Sequence, residues 1–132
     1  MSRSERFSGV FPCSPTGARR ARKLVTQFAG EWLSGDDLMH FEMACGEALA
    51  NCVEHADSPM MSVECWSDGN RLMTEIRHDG NGFEPPECVE APPPGAPRGY
   101  GLFIMHSVLD GVEFLDGGTG LRLIKSTRTR RA

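Results

Sequence analysis

Three short clusters in this chain combine side chains and spacings that could bind or transform a ligand. The first runs Glu47-Ala-Leu-Ala-Asn51-Cys-Val-Glu54-His55-Ala56, with Glu47, Asn51 and His55 at i, i+4 and i+8. On a helix, at about 100° per residue, those three form one slightly drifting stripe. A carboxylate and a carboxamide one turn apart offer oxygens to a hard cation such as Mg2+ and place a base beside an attacking hydroxyl or water. The same spacing also describes a solvated polar face. The second cluster is Ile76-Arg77-His78-Asp79-Gly80-Asn81-Gly82-Phe83. Gly80 and Gly82 let the backbone approach a ligand closely or take φ > 0, and they equally suit a plain Asp-Gly or Asn-Gly turn. The third is Arg98-Gly99-Tyr100-Gly101-Leu102, just ahead of an apolar run. Free N–H groups at a helix start suit phosphate oxygens, and Arg98 adds positive charge.

These clusters need elements to hold them. Arg6 to Phe11 reads as a short strand ending at Pro12. Ser14 and Pro15 then give an N-cap and a first-turn proline, and Ala18, Leu24, Val25, Phe28, Ala29 and Trp32 recur at helical spacing, which predicts a helix over 15–33. Ser34-Gly35 breaks it, and Ser34 or Asp36 caps a second helix running to about Ala56, which carries the Glu47 stripe. The period then changes to two. Met61, Val63, Cys65 and Leu72, Thr74, Ile76 alternate with polar partners around the turn Ser67-Asp68-Gly69-Asn70, a β-hairpin. Between Phe83 and Arg98 lie six of the nine prolines, a composition that predicts a long surface loop. A third helix from about Gly101 to Asp110, a strand at Val112–Phe114, the turn Asp116-Gly117-Gly118 and a last strand Thr119–Ser126 complete the order. That order predicts an α+β sandwich, a mixed and mostly antiparallel sheet covered on one face by helices.

Composition narrows the class. A chain of 132 residues is one domain's worth, and no apolar stretch is long enough to span a bilayer. The net charge of −4 hides a segregation: residues 1–30 and 122–132 are basic, whereas 31–121 hold 17 acids against Arg71, Arg77 and Arg98. The acidic middle argues against direct nucleic-acid binding there. Five cysteines without a CxxC pair, and no apolar leader at the start, predict a reduced, cytoplasmic protein, with Cys45 and Cys52 as small core residues. Met60, Met61 and Met105 are expected to fill the core, and His40 and His106 to sit half-exposed or satisfied.

Taken together in this order, the three clusters resemble the N, G1 and G2 boxes of the ATP-binding domain of the GHKL superfamily, which includes gyrases and histidine kinases. Gly118-Thr119-Gly120-Leu121-Arg122-Leu123 is similar to that domain's final strand. Over about residues 7–126 the chain is most similar to the small anti-sigma-factor serine kinases of bacterial partner switching, which share the Glu-Ala-Leu-x-Asn-x-x-Glu-His-Ala and Gly-x-Gly-Leu-Phe-x-Met patterns. The resemblance implies a single Bergerat-fold domain over 1–132 that binds ATP and Mg2+, with the 83–98 segment as ATP lid. It implies Glu47 as general base, Asn51 as Mg2+ ligand, and Gly80 and Gly82 as the adenine-side turn. Gly99, Gly101 and Leu102 would lie along the phosphates, with His55, Arg98 and Thr119 also on the nucleotide side. The implied activity is phosphorylation of a serine or threonine on a STAS-type anti-anti-sigma protein, alternating with sequestration of a sigma factor, and a homodimer is the expected assembly. One position departs from the family pattern: His78 stands where the adenine-binding Asp is expected, and Asp79 follows it. Three readings follow. His78 accepts the hydrogen bond, Asp79 reaches in, or nucleotide binding is weak and the chain is a non-catalytic binding protein of the same fold.

Overall fold

Alternation at period two builds the sheet. In the computed structural model, which describes residues 6–80 and 100–127, β2 (Met60–Ser67) and β3 (Arg71–His78) bury Met61, Val63, Cys65, Leu72, Thr74 and Ile76 on one side. The turn between them is held by Asp68, whose Oδ1 accepts the N–H groups of Asn70 and Arg71 at 3.0 and 2.8 Å, while Gly69 supplies a φ of +99°. β1 (Arg6–Pro12), β4 (Gly111–Leu115) and β5 (Gly120–Ser126) complete a sheet of order β1-β2-β3-β5-β4. The expected α+β sandwich is present, and where a mixed sheet was expected every described pair is antiparallel.

Three helices cover one face. α1 (Pro15–Ala29) starts where Ser14 accepts the Gly17 N–H at 3.1 Å. The expected helix over 15–33 is shorter in fact: after Ala29 the chain winds through turns in which Trp32 and Leu33 both donate to the Ala29 carbonyl. Both side chains are buried all the same, so the apolar spacing past Ala29 marks core contact rather than helix. α2 (Gly35–His55) follows Ser34 at the N-cap, with Asp36 and Asp37 in the first turn where negative charge is favoured. α3 (Tyr100–Val108) is stopped by Lys125, whose Nζ donates to the Val108 carbonyl at 2.8 Å, and the Asp110 N–H then joins Ile124 of β5 at 2.9 Å. Small residues Ala21, Ala29, Ala44 and Ala48 let α1 and α2 pack closely over the core of Val25, Phe41, Leu49, Val63, Leu72 and Leu123. Cys45, Cys52, Met61 and Met105 are buried as expected; Met60 is not, because it opens β2 opposite Pro12 on the uncovered side. No helix among the described residues is long and apolar enough to cross a membrane.

The uncovered face of the sheet is tied by charge. Glu75, only 7% exposed, accepts from Arg122 Nε at 2.7 Å and from Arg77 at 3.0 Å. Arg122 reaches on to Glu113 at 3.1 Å, and Arg77 to Asp116 in the β4–β5 turn. Burial alone would raise the Glu75 carboxyl, but the two arginines outweigh it and hold the group below its usual range. A carboxyl so depressed contributes stability above its unfolded pKa, and that contribution disappears as pH falls through the folded value. Glu75→Gln is therefore expected to flatten the acid side of the stability profile below about pH 4. Denaturant midpoints across that range check this; an unchanged acid slope refutes it.

Candidate functional site

One cavity opens where the C-terminal half of α2 meets the end of β3, and it holds about 480 Å³ of empty space counting its open mouth. α2 contributes Asn51, Cys52 and His55 to the wall, and β3 contributes Ile76 and His78. Met105 of α3 closes one side, while Phe114 of β4 and Leu121 of β5 add apolar surface. Gly118, Thr119 and Gly120 form the rim. The lining is mostly apolar with a few polar groups, the usual make-up of a small-molecule site.

Two local contacts hold the polar groups there. A β-carbon on Gly80 would overlap the Ala56 carbonyl oxygen and stand 2.8 Å from the Asp57 oxygen. Only glycine lets the end of β3 cross the end of α2 this closely, and just past the helix the chain turns at Asp57, with φ +53°. Next to this crossing the Gly80 N–H donates to His78 Nδ1 at 3.0 Å, and the His78 N–H donates to the Thr119 carbonyl at 3.0 Å. Thr119 in turn donates its hydroxyl to the Asp116 carbonyl at 3.0 Å, in a turn where Asp116, Gly117 and Gly118 all have positive φ. Burial pulls the His78 imidazole below its ordinary pKa, opposed by the charge of Asp79. The sulfur of the wall residue Cys52 lies 3.8 Å from that of Cys13; burial, with a smaller effect from Cys13, pushes the Cys52 thiol up to about 12.

The model of the histidine kinase-like ATPase domain matches residues 11–125. The chain belongs to that family. No curated protein matches the chain by sequence. As a histidine kinase-like ATPase domain of the GHKL superfamily it has an ATP-binding function, and the cavity between α2 and β3 is the candidate for it.

Within this ATPase domain the structure gathers some of the sequence-predicted residues and separates others. Asn51, His55, His78 and Thr119 line the cavity together. Glu47 lies one turn up α2 from Asn51, half-exposed and outside the described wall, and Asp79, next to His78 in the chain, is exposed and also outside it. The side of Gly80 where a β-carbon would stand packs against protein backbone. Gly101 and Leu102 fall in the first turn of α3. Gly82, Arg98, Gly99 and the expected lid at 83–98 lie outside the described residues. Ile76, Met105 and Leu121 stand inside the motif segments but were given no ligand-side role, and Phe114 lies outside them, because all four read as ordinary core residues. The signal was nonetheless present, since Ile76 shares a strand face with His78 and Met105 is four residues after Gly101. Gly80→Ala should cost about 2 to 4 kcal/mol of stability, because backbone must move. A denaturation midpoint equal to that of the natural chain would contradict this.

Proposed function

We propose that this ATPase domain is a serine/threonine protein kinase that acts as an anti-sigma factor, transferring the γ-phosphoryl of ATP to a STAS-type anti-anti-sigma protein and otherwise sequestering a sigma factor. The observation that carries the reading is the Glu47, Asn51, His55 stripe, set on the helix that walls the cavity. Among the described residues no three His, Cys, Asp or Glu converge on a metal. A Mg2+ ion carried on phosphates needs only one or two protein oxygens, and the Asn51 carboxamide at the cavity wall fits that need. Such an ion would offset phosphate charge. Glu47, half-exposed one turn away, is the base this reading assigns to a hydroxyl brought by a partner protein. It takes the proton of the serine as that oxygen bonds to the γ-phosphorus and the bond to ADP breaks.

Partner capture has a surface to support it. Arg19, Arg20, Arg22 and Lys23 are exposed on α1, a concentration of positive charge suited to an acidic protein partner. A second reading, a non-catalytic binding protein of the same fold, draws on one observation: His78 offers no carboxylate at the cavity, and its Nδ1 is already engaged by Gly80.

Isothermal calorimetry with ATP and Mg2+, followed by a phosphoserine assay on a STAS partner, separates the two. Glu47→Ala should keep nucleotide affinity and abolish transfer, whereas Asn51→Ala should lose Mg2+-dependent binding. Transfer undiminished in the Glu47 variant would refute its role as base, and intact partner binding without nucleotide heat or transfer would favour the second reading. Neutralising the four basic residues of α1 should slow partner association and flatten its salt dependence; stopped-flow rates at several ionic strengths measure both.

A further inference from the structure

The fold brings together two cysteines from distant parts of the chain. Cys13 stands in the bend between β1 and α1, and Cys52 lies near the end of α2 on the cavity wall. Their sulfurs are 3.8 Å apart, and the Cys13 thiol donates to the Cys52 carbonyl at 3.5 Å. A disulfide needs about 2.05 Å between sulfurs, so closing the gap takes less than about 2 Å of movement. Cys13 can supply it, because its backbone belongs to neither the strand before it nor the helix after it. Access differs between the two. Cys13 is half-buried, Cys52 is 8% exposed, and the other described cysteines, Cys45 and Cys65, are enclosed in the core. Burial also keeps the Cys52 thiol protonated, its pKa pushed up to about 12, so an oxidant arriving from solvent meets Cys13 first.

We propose that Cys13 and Cys52 form a redox-active modification site, at which a peroxide closes an intramolecular disulfide between the β1–α1 bend and α2. The Cys13 sulfur attacks one oxygen of hydrogen peroxide; an S–O bond forms, the O–O bond breaks, and the departing oxygen leaves as water with the thiol proton. The Cys52 sulfur then displaces the hydroxyl from the Cys13 sulfenic acid. The S–S bond forms, the S–O bond breaks, and the hydroxyl takes the Cys52 proton as a second water. Two thiols together lose two electrons, and the peroxide is reduced to water. Contact between the two sulfurs makes the second step intramolecular, which offsets the small thiolate fraction of Cys52. The bond ties residue 13 to residue 52 across a segment that carries α1 and most of α2. It restricts the unfolded chain over that span, and in the folded chain it pins the stretch of α2 that carries Asn51 and His55. A thiol reductant reopens it.

The whole natural chain, and the same chain with Cys88→Ser to remove the cysteine outside the described residues, are treated with hydrogen peroxide and mapped by mass spectrometry without reduction. A linked Cys13–Cys52 peptide, lighter than the reduced pair by two hydrogens and separated again by dithiothreitol, supports the proposal. The thermal midpoint of the oxidised chain should lie about 5 to 10 °C above that of the reduced chain. Cys13→Ser, a change at the half-buried position, should abolish both the link and the rise. Two thiols that stay free, a Cys13 that stops at sulfinic acid, or a link from either cysteine to a different cysteine or a second chain overturns the proposal. A linked peptide without a rise in midpoint overturns the pinning of α2. The mapping needs no variant at residue 13 or 52, so it decides the matter even where Cys13→Ser does not fold.

Discussion

The close crossing of Gly80 over the Ala56 carbonyl holds the candidate site together. α2 brings a polar stripe and β3 brings the end of a strand, and neither has a cavity of its own. Their ends approach because one residue lacks a side chain and the chain leaving the helix beneath it turns at Asp57. From that crossing the rest follows outward. The Gly80 N–H fixes the ring of His78, the His78 backbone fixes Thr119, and Thr119 fixes the turn that rims the cavity. A chain of short hydrogen bonds thus converts a steric fact about glycine into the orientation of a side chain.

Legibility in the sequence followed how local the cause was. The hairpin of β2 and β3 was readable because period-two alternation and an Asp-Gly-Asn turn are both short-range signals. The end of α1 was misplaced by four residues, because Trp32 and Leu33 keep a helical spacing while being buried through turns. Met60 was expected inside, and its position in the strand pairing, opposite Pro12, sends it out; residue type alone does not carry register. At the site, the stripe of Asn51 and His55 was legible as geometry on one helix. The purpose of Gly80 was not, because its close neighbour is backbone from residue 56, and which backbone a glycine will meet is a tertiary fact. For the same reason His78 read as a possible acceptor in the sequence, yet the folded chain has already spent that lone pair on its own amide.

The two faces of the sheet are stabilised by different physics. Beneath the helices, apolar and small side chains pack at close range, with Thr74 satisfying itself on the Cys65 sulfur at 3.3 Å. On the open face, Glu75 gathers Arg77 and Arg122, and these arginines extend to Asp116 and Glu113. The second arrangement reaches the site as well, since Asp116 opens the same turn that carries Thr119 to the cavity rim.

The strand order has a further consequence for assembly. β1 pairs with β2 residue for residue from Arg6 with Trp66 to Pro12 with Met60, and the Cys13 N–H closes the register on the Pro59 carbonyl at 2.9 Å. Everything between, residues 13–59, is therefore a loop whose mouth is a pair of strands, and that loop contains both long helices. Closing it carries an entropy cost that the short β2–β3 turn does not, so the hairpin can form early while the helical excursion must be captured by an edge strand. The first strand is remote from the cavity along the chain, yet α1 packs on it and α2 packs on α1, so it anchors the start of the excursion that carries α2. Changes within Arg6–Pro12 would register as a loss of order at Asn51 and His55, far from where they were made.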